Sequence, residues 1–305
     1  MKSKVAAVTG GYGMIGSSIV DMLLIDGWHV KILSRSNRNY PSDKVTMVKS
    51  DLNSLNGLKS LLENVDAIFH CAAEIKDEKK MFLTNVEGTR NLLEISAQTS
   101  ATFFCFVSSA GVVSSSVQTL VTEDATCNPK TKYEKTKYQS ELLVKKSNLN
   151  MSVCILRPTN VVSMLKPGIL ILPELNGWKE KLKVRIKGKE LAHIVHVKDV
   201  ANVAMFFLKK KILGVNTFFV AIDDDNDNNI LDIYNTYIEL FNNMSGIKLT
   251  MPVYFPYLMR VLFRRKSLHG KTAFSNKKLK NYGFCFEYSV RDIVTEVHNK
   301  KRKSN

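Results

Sequence analysis

Residues 4–27 read KVAAVTGGYGMIGSSIVDMLLIDG. Val5–Thr9 is a short, charge-free run rich in β-branched residues, which reads as a strand buried on both faces. Glycines follow at 10, 11, 13 and 16, and Ile15–Ile25 then carries apolar residues at helical spacing. Positions 11, 13 and 16 satisfy the spacing Gly-x-Gly-x-x-Gly. In a strand–turn–helix unit these glycines give a tight turn, close backbone approach to a pyrophosphate, and contact between helix and strand. The anion then rests on the free N–H groups of the helix N-terminus. Gly10, Gly11, Gly13, Met14, Ile15 and Gly16 are therefore candidate dinucleotide-binding residues.

The same alternation continues outward. Val30–Ser34, Val45–Lys49, Ala67–Cys71, Phe103–Ser108 and Val153–Leu156 read as strands, and most are apolar throughout. Leu55–Leu62, Met81–Ala97 and Tyr133–Lys146 carry helical periodicity between them. Asn216–Ile222 reads as one more strand, and His196–Val200 opens another helix. This pattern predicts an α/β fold: a doubly wound parallel sheet, the Rossmann fold, with a small, mostly helical C-terminal lobe. The expected division is a nucleotide domain over 1–158, completed by 193–222, and a substrate lobe over 159–192 and 223–305.

The chain has 305 residues, 45% of them hydrophobic, which excludes disorder for its bulk. No apolar run reaches bilayer-spanning length, and no secretory h-region precedes the first strand. Five scattered cysteines, with no Cys-x-x-Cys pair, suit small core residues in a reducing cytoplasm. A cytoplasmic protein without a metal site is expected. Of the net charge of +16, residues 257–305 contribute +10, with 13 Lys/Arg against 3 Asp/Glu. No nucleic-acid motif accompanies this charge, so a solvated basic surface is expected rather than a nucleic-acid partner. Val253–Lys266, VYFPYLMRVLFRRK, is both apolar and basic. It reads first as a lobe helix with a buried aromatic face, and second as a weak membrane-surface contact. A homodimer is compatible with the pattern.

The second strand ends in Ser34-Arg35, where a carboxylate would bind the adenosine ribose of NAD. Arg35, with Arg38 nearby, suits a 2′-phosphate, so NADP is expected in preference to NAD.

Residues 129–143 read PKTKYEKTKYQSELL. Tyr133 and Lys137 are four apart and share a helix face. A lysine ammonium beside a phenol stabilises the phenolate and lowers its pKa, which makes the tyrosine a usable acid/base. Tyr138 is followed at that spacing by Leu142 and offers no rival pair. Ser108 and Ser109 stand at the carboxyl end of a predicted strand, the edge where open α/β sheets bind ligands. A serine hydroxyl there can hold a substrate oxygen.

Taken in order, TGGYGMIG (9–16), SDL (50–52), DAIFHCAA (66–73), NVEGT (85–89), FVSSAG (106–111), YEKTK (133–137), LRP (156–158) and HVKDVA (196–201) resemble the extended short-chain dehydrogenase/reductase family of NAD-dependent epimerase/dehydratase type. The resemblance implies a nicotinamide-dependent enzyme. It assigns Ser109, Tyr133 and Lys137 to catalysis, with Tyr133 and Lys137 also meeting the cofactor. Asp51 and Leu52 are implied as adenine contacts, Ala72 and Ala73 as small residues that let the cofactor pass, and Asn85 as a support of the active-site helix close to the cofactor. His70 is implied as a strand-end residue, and His196 as packing near the cofactor. Asn160 matches an asparagine placed on the diphosphate of nucleotide-sugar substrates, as Ser109 matches a substrate contact. Against a sugar substrate, an arginine common before HVKDVA is missing from Leu191-Ala192-His193-Ile194. That absence resembles the dihydroflavonol-reductase and 3β-hydroxysteroid-dehydrogenase groups, which reduce apolar ketones. The readings in order are a nucleotide-sugar epimerase, dehydratase or reductase; a ketone/alcohol oxidoreductase; and a non-catalytic NADP-binding sensor or scaffold, since fold does not fix function.

Overall fold

Seven apolar runs pair into one sheet: β1 (Val5–Thr9), β2 (His29–Ser34), β3 (Val45–Lys49), β4 (Ala67–His70), β5 (Phe103–Val107), β6 (Ser152–Pro158) and β7 (Val215–Val220). Their order is β3-β2-β1-β4-β5-β6-β7. The pairs from β3 to β6 are parallel, with Val8 of β1 opposite Ile32 on one side and Phe69 on the other. Strands β4, β5 and β6 are buried at every position, which is why their sequences do not alternate. The order reverses at β1 and β4, and a doubly wound sheet opens its ligand crevice at that point. This computed structural model describes residues 3–113, 118–175, 177–242, 245–256, 258, 262, 270 and 272–304.

The helices of this sheet are α1 (Met14–Ile25), α2 (Leu55–Leu62), α3 (Glu78–Met81), α4 (Gly88–Ser96), α5 (Lys132–Lys146) and α6 (Val197–Lys210). The single helix expected over Met81–Ala97 is instead α3, a π-helical turn at Phe82–Glu87, and α4. A π turn widens the spiral locally, and Asn85 lies buried within it.

Contacts divide the chain into two units. The first holds residues 1–112, 129–157 and 200–218; the second holds 113–128, 158–199 and 219–305. This division differs from the one read from sequence at 113–128, 193–199 and 219–222. Residues 113–128 join the second unit because Leu120–Val121 pairs with Ala273–Phe274 and Glu123 accepts from the Phe219 N–H at 2.9 Å. Residues 193–199 join it because Ile194–His196 pairs with Asn160–Val162. The second unit therefore carries two small parallel ladders beside its helices Trp178–Lys187, Ile230–Asn242 and Val290–Ser304. Ile194, Ile233, Val290 and Val294 are central to its core. Among the described residues no helix is long and apolar enough to cross a membrane, and no cluster of three metal-ligating side chains occurs.

Candidate active site

The turn after β1 is built around backbone contact. Gly10 has φ +70°, and a Cβ there would lie 2.7 Å from the Ala72 nitrogen. A Cβ on Gly16 would lie 2.1 Å from the Gly10 carbonyl oxygen. Both clashes are with backbone, so neither position tolerates a side chain. At Gly11 a Cβ would meet only the side chain of Ile32, at 2.8 Å. The tight-turn role read at Gly11 thus belongs to Gly10, and the working set is 10, 13 and 16. Gly13 is exposed and caps α1 without a side-chain hydrogen bond. The N–H groups of the first helical turn, which begins at Met14 and Ile15, are left available to an anion.

A cavity of ≈ 560 Å³ opens beside this turn. Gly10, Gly13, Ala72 and Ala73 form one part of its wall; Ser34, Arg35, Asp51 and Leu52 form another. Its volume and glycine-lined wall fit a dinucleotide. Ser34 ends β2 and donates its hydroxyl to the Ser36 carbonyl at 2.7 Å. Tyr12 donates to the Arg38 carbonyl at 2.7 Å, and the Arg38 guanidinium lies 5.5 Å from the Tyr12 ring centroid. Those contacts pin residues 34–38 against the glycine turn and leave two arginines at the cavity. Leu52 is core as well as wall, since it packs with Leu58, Leu61 and Leu92.

Helix α5 starts where it does because of a capping box. Thr131 accepts from the Glu134 N–H at 3.1 Å, and the Glu134 carboxylate accepts from the Thr131 N–H at 2.9 Å. Tyr133 therefore stands in the first turn, half-buried. Ser109 leaves the end of β5 and accepts from the Gly111 N–H at 3.1 Å. A Cβ on Gly111 would be 3.0 Å from Glu134 Cγ and 3.3 Å from Ser109 Oγ, so the serine turn lies directly against the start of α5. Ser108 is turned the other way and donates to Glu141 at 2.9 Å. Of the two serines, Ser109 is the one placed at the α5 first turn.

Lys137 is buried, with its ammonium 4.2 Å from the Phe106 ring centroid. Burial lowers its pKa to about 8, against the opposing pull of Cys71 and Glu141. Cys71 lines the cavity, and the lysine charge pulls against the burial that raises the Cys71 thiol pKa. Lys137 is not among the influences on the Tyr133 phenol in this structure. Burial first, and then the Glu134 carboxylate, push the phenol up to about 12. The lysine is held over Phe106, toward β4 and β5, and Tyr133 is a neutral hydroxyl at neutral pH.

Behind the pair runs a buried polar network. Asn85 accepts from the Glu74 N–H at 2.7 Å and donates to the Glu74 carbonyl and to Thr136 Oγ1, each at 3.0 Å. Its amide is committed within the protein and ties α5 to the Glu74 loop. Ser140 donates to the Asn85 carbonyl at 2.6 Å. His70 bridges Thr9 at 2.7 Å and Thr89 at 2.9 Å. Burial and then Lys137 hold its pKa down near 3, so it is neutral. Glu141 meets Arg157 through Oε1 at 2.5 Å and Oε2 at 3.1 Å, both side chains being fully buried. Sequence reasoning missed this pair and the cap. The signals were Arg157 inside an apolar strand and Thr131-x-x-Glu134 before a helix.

In the second unit, Asn160 is exposed and its amide donates to the Ala192 carbonyl at 2.8 Å. The adjacent His193 adopts φ +53° and pairs through Nδ1 with the buried Asp223 carboxylate at 2.7 Å. His196 packs against Tyr288 with the rings tilted, their centroids 4.0 Å apart. Most of Val253–Lys266, with Arg260, Arg264, Arg265 and Lys266, lies outside the described residues, as does Lys271. Lys280 pairs with Asp224.

The model of the NAD dependent epimerase/dehydratase family matches residues 6–220. The chain belongs to that family. Within it, the chain is 32% identical over 231 residues to a Methanocaldococcus jannaschii protein named after UDP-glucose 4-epimerase, covering 69% of this chain and 76% of that one. It is 33% identical over 116 residues to the Dictyostelium discoideum sterol-4-alpha-carboxylate 3-dehydrogenase, covering 35% of each. The chain spans about half the length of the first curated relatives it matches: 52% of y4nG of Sinorhizobium fredii, at 26% identity over 207 residues and 65% of this chain. Among solved structures, the Bordetella bronchiseptica enzyme WbmH with NAD+ superimposes with a TM-score of 0.77 at 19% identity, covering 98% of this chain and 99% of that one. MoeE5 in complex with UDP-glucose and NAD gives 0.73 at 21%, with the same coverage. These likenesses show the extended short-chain dehydrogenase/reductase fold.

Proposed function

We propose that this family member is a nicotinamide-dependent enzyme that moves hydride to or from a carbon of a nucleotide-sugar. The observation that carries the reading is the α5 face: a half-buried neutral phenol in the first turn, a serine hydroxyl delivered against that turn, and a buried ammonium over Phe106 whose charge is felt at Cys71. A bound nicotinamide would supply the hydride donor or acceptor. In the reducing direction, Ser109 orients the substrate carbonyl and Tyr133 donates the proton to its oxygen. Lys137, largely protonated at neutral pH, offers hydrogen bonds to cofactor hydroxyls at the cavity. The carbonyl carbon gains hydride, its oxygen gains the phenol proton, and the tyrosine is reprotonated from solvent.

NADP is the favoured cofactor, since Ser34 and Arg35 stand where an adenosine ribose is read. Titration by fluorescence should give tighter binding of NADPH than NADH, and Arg35→Ala should lower NADPH affinity alone, by about 10–100-fold for one or two charged hydrogen bonds. Equal affinities in the parent protein contradict this preference. The five scattered cysteines, with no Cys-x-x-Cys pair, support a reducing, cytoplasmic setting.

The nucleotide-sugar class is supported by Asn160 and by the relative named after UDP-glucose 4-epimerase. UDP, GDP or dTDP should raise the melting temperature of the cofactor-loaded protein. No shift with any of them at millimolar concentration favours a second reading, reduction of an apolar ketone. The sterol-dehydrogenase relative and the absence of an arginine from Leu191-Ala192-His193-Ile194 support that alternative.

A further inference from the structure

The helix Trp178–Lys187, in the second unit, exposes what a helix normally hides. Trp178, Lys181, Leu182 and Arg185 fall at i, i+3, i+4 and i+7, one stripe of the helix. Trp178 is 71% exposed and Leu182 47%. The neighbouring strand-like segment extends this surface: the Met251 N–H donates to the Arg185 carbonyl at 2.7 Å, and Leu249 is 85% exposed. Between the two lies a cavity of ≈ 510 Å³ with Lys181, Arg185 and Lys248 in its wall and Tyr234, Ile238 and Ile247 also lining it. No carboxylate lines it, and none of the three cations has an ion pair among the described residues. Its outer wall is held in place by Asn235, which accepts from the Ile247 N–H at 2.8 Å and donates to the Ile247 carbonyl at 3.1 Å.

We propose that this face docks on an anionic lipid bilayer, with Trp178, Leu182 and Leu249 entering the headgroup–acyl boundary and the cationic cavity holding a headgroup phosphate. Charge and apolarity together select the partner. A nucleic acid would satisfy the cations and leave three large apolar side chains in water. A second copy would bring two cationic stripes face to face, since the helix carries five Lys/Arg and one glutamate. A bilayer with anionic lipid takes both features, as interfacial helices do.

The protein carries its own reporter. Its two tryptophans are Trp178 and Trp28, and Trp28 is only 8% exposed. Emission from the full chain should shift to the blue, and be quenched by brominated acyl chains, on adding vesicles of phosphatidylglycerol and phosphatidylcholine. Phosphatidylcholine alone should give neither response. Trp178→Phe should remove the spectral change while co-sedimentation persists. Lys181→Glu, Arg185→Glu and Lys248→Glu should weaken co-sedimentation by about fivefold for each cation removed. Leu182→Ser with Trp178→Ser should weaken it by more than about tenfold. Melting temperatures should stay unchanged, which separates docking from folding. Any of these results would overturn the proposal: no co-sedimentation of the parent chain at low salt, co-sedimentation of the parent chain without the spectral shift, full co-sedimentation by the glutamate or serine variants, or concentration-dependent dimerisation abolished by Trp178→Ser. Occupation of the cavity by inorganic phosphate without vesicle binding also overturns it.

Discussion

Helices α5 and Trp178–Lys187 are both rich in lysine, yet they break the usual inside–outside rule in opposite directions. In α5 the buried residues are Thr136, Lys137, Ser140, Glu141 and Val144, four of them polar. In the other helix Val184 is buried, while Trp178 and Leu182 face water. Composition cannot tell these helices apart. Burial does: a lysine taken out of water acquires a pKa near neutrality and chemical use, whereas lysines left in water beside apolar side chains form a surface. Departures from the rule cost stability and persist where function needs them.

The sharpest way to break the comparison is to remove a buried charge from α5. Glu141→Ala strands Arg157 and should cost about 3–5 kcal/mol in denaturant unfolding. Replacing both by methionine should recover most of that. A loss below about 1 kcal/mol for the single variant would mean that α5 does not depend on its buried polar stripe.

A smaller effect comes from His70, whose pKa is held down near 3 by burial and by Lys137. Below the unfolded value of about 6.5 the unfolded chain binds a proton that the folded protein refuses. This contribution is complete above that pH and should be lost on acidification, by up to about 1.4 kcal/mol per pH unit between about 6 and 4. His70→Asn should flatten the slope, and an identical slope in both proteins would contradict the assignment.

The smallest effect is expected on the other helix. Trp178→Ser should change unfolding free energy by no more than about 0.5 kcal/mol, since its side chain is largely in water, and Leu182→Ser, half covered, by no more than about 1 kcal/mol. A larger loss would place them in the core and remove the contrast.

The sheet was legible because its central strands are buried on both faces and so are apolar without alternation; Phe103–Val107 is the clearest case. The glycine turn was legible for a different reason: Gly10 and Gly16 are required by backbone clashes that no other residue survives. Tyr133, Lys137 and Ser109 were readable as a spacing and an order, but their protonation was not. The Tyr133 pKa follows from burial and from Glu134, both products of the fold. The π turn at Phe82–Glu87 left no periodicity signal, because one inserted residue hides within an otherwise helical pattern. The pairing of Leu120–Val121 with Ala273–Phe274 is a contact between distant segments, beyond the reach of local pattern.

The central claim is that Tyr133 moves the proton that accompanies hydride transfer. The direct measurement is turnover of a nucleotide-sugar with NADPH by the parent protein and by Tyr133→Phe, with dinucleotide affinity measured in parallel. Turnover should fall by about 10²–10⁴-fold, as for a lost general acid, while NADPH affinity stays unchanged. Undiminished turnover in Tyr133→Phe would contradict the claim.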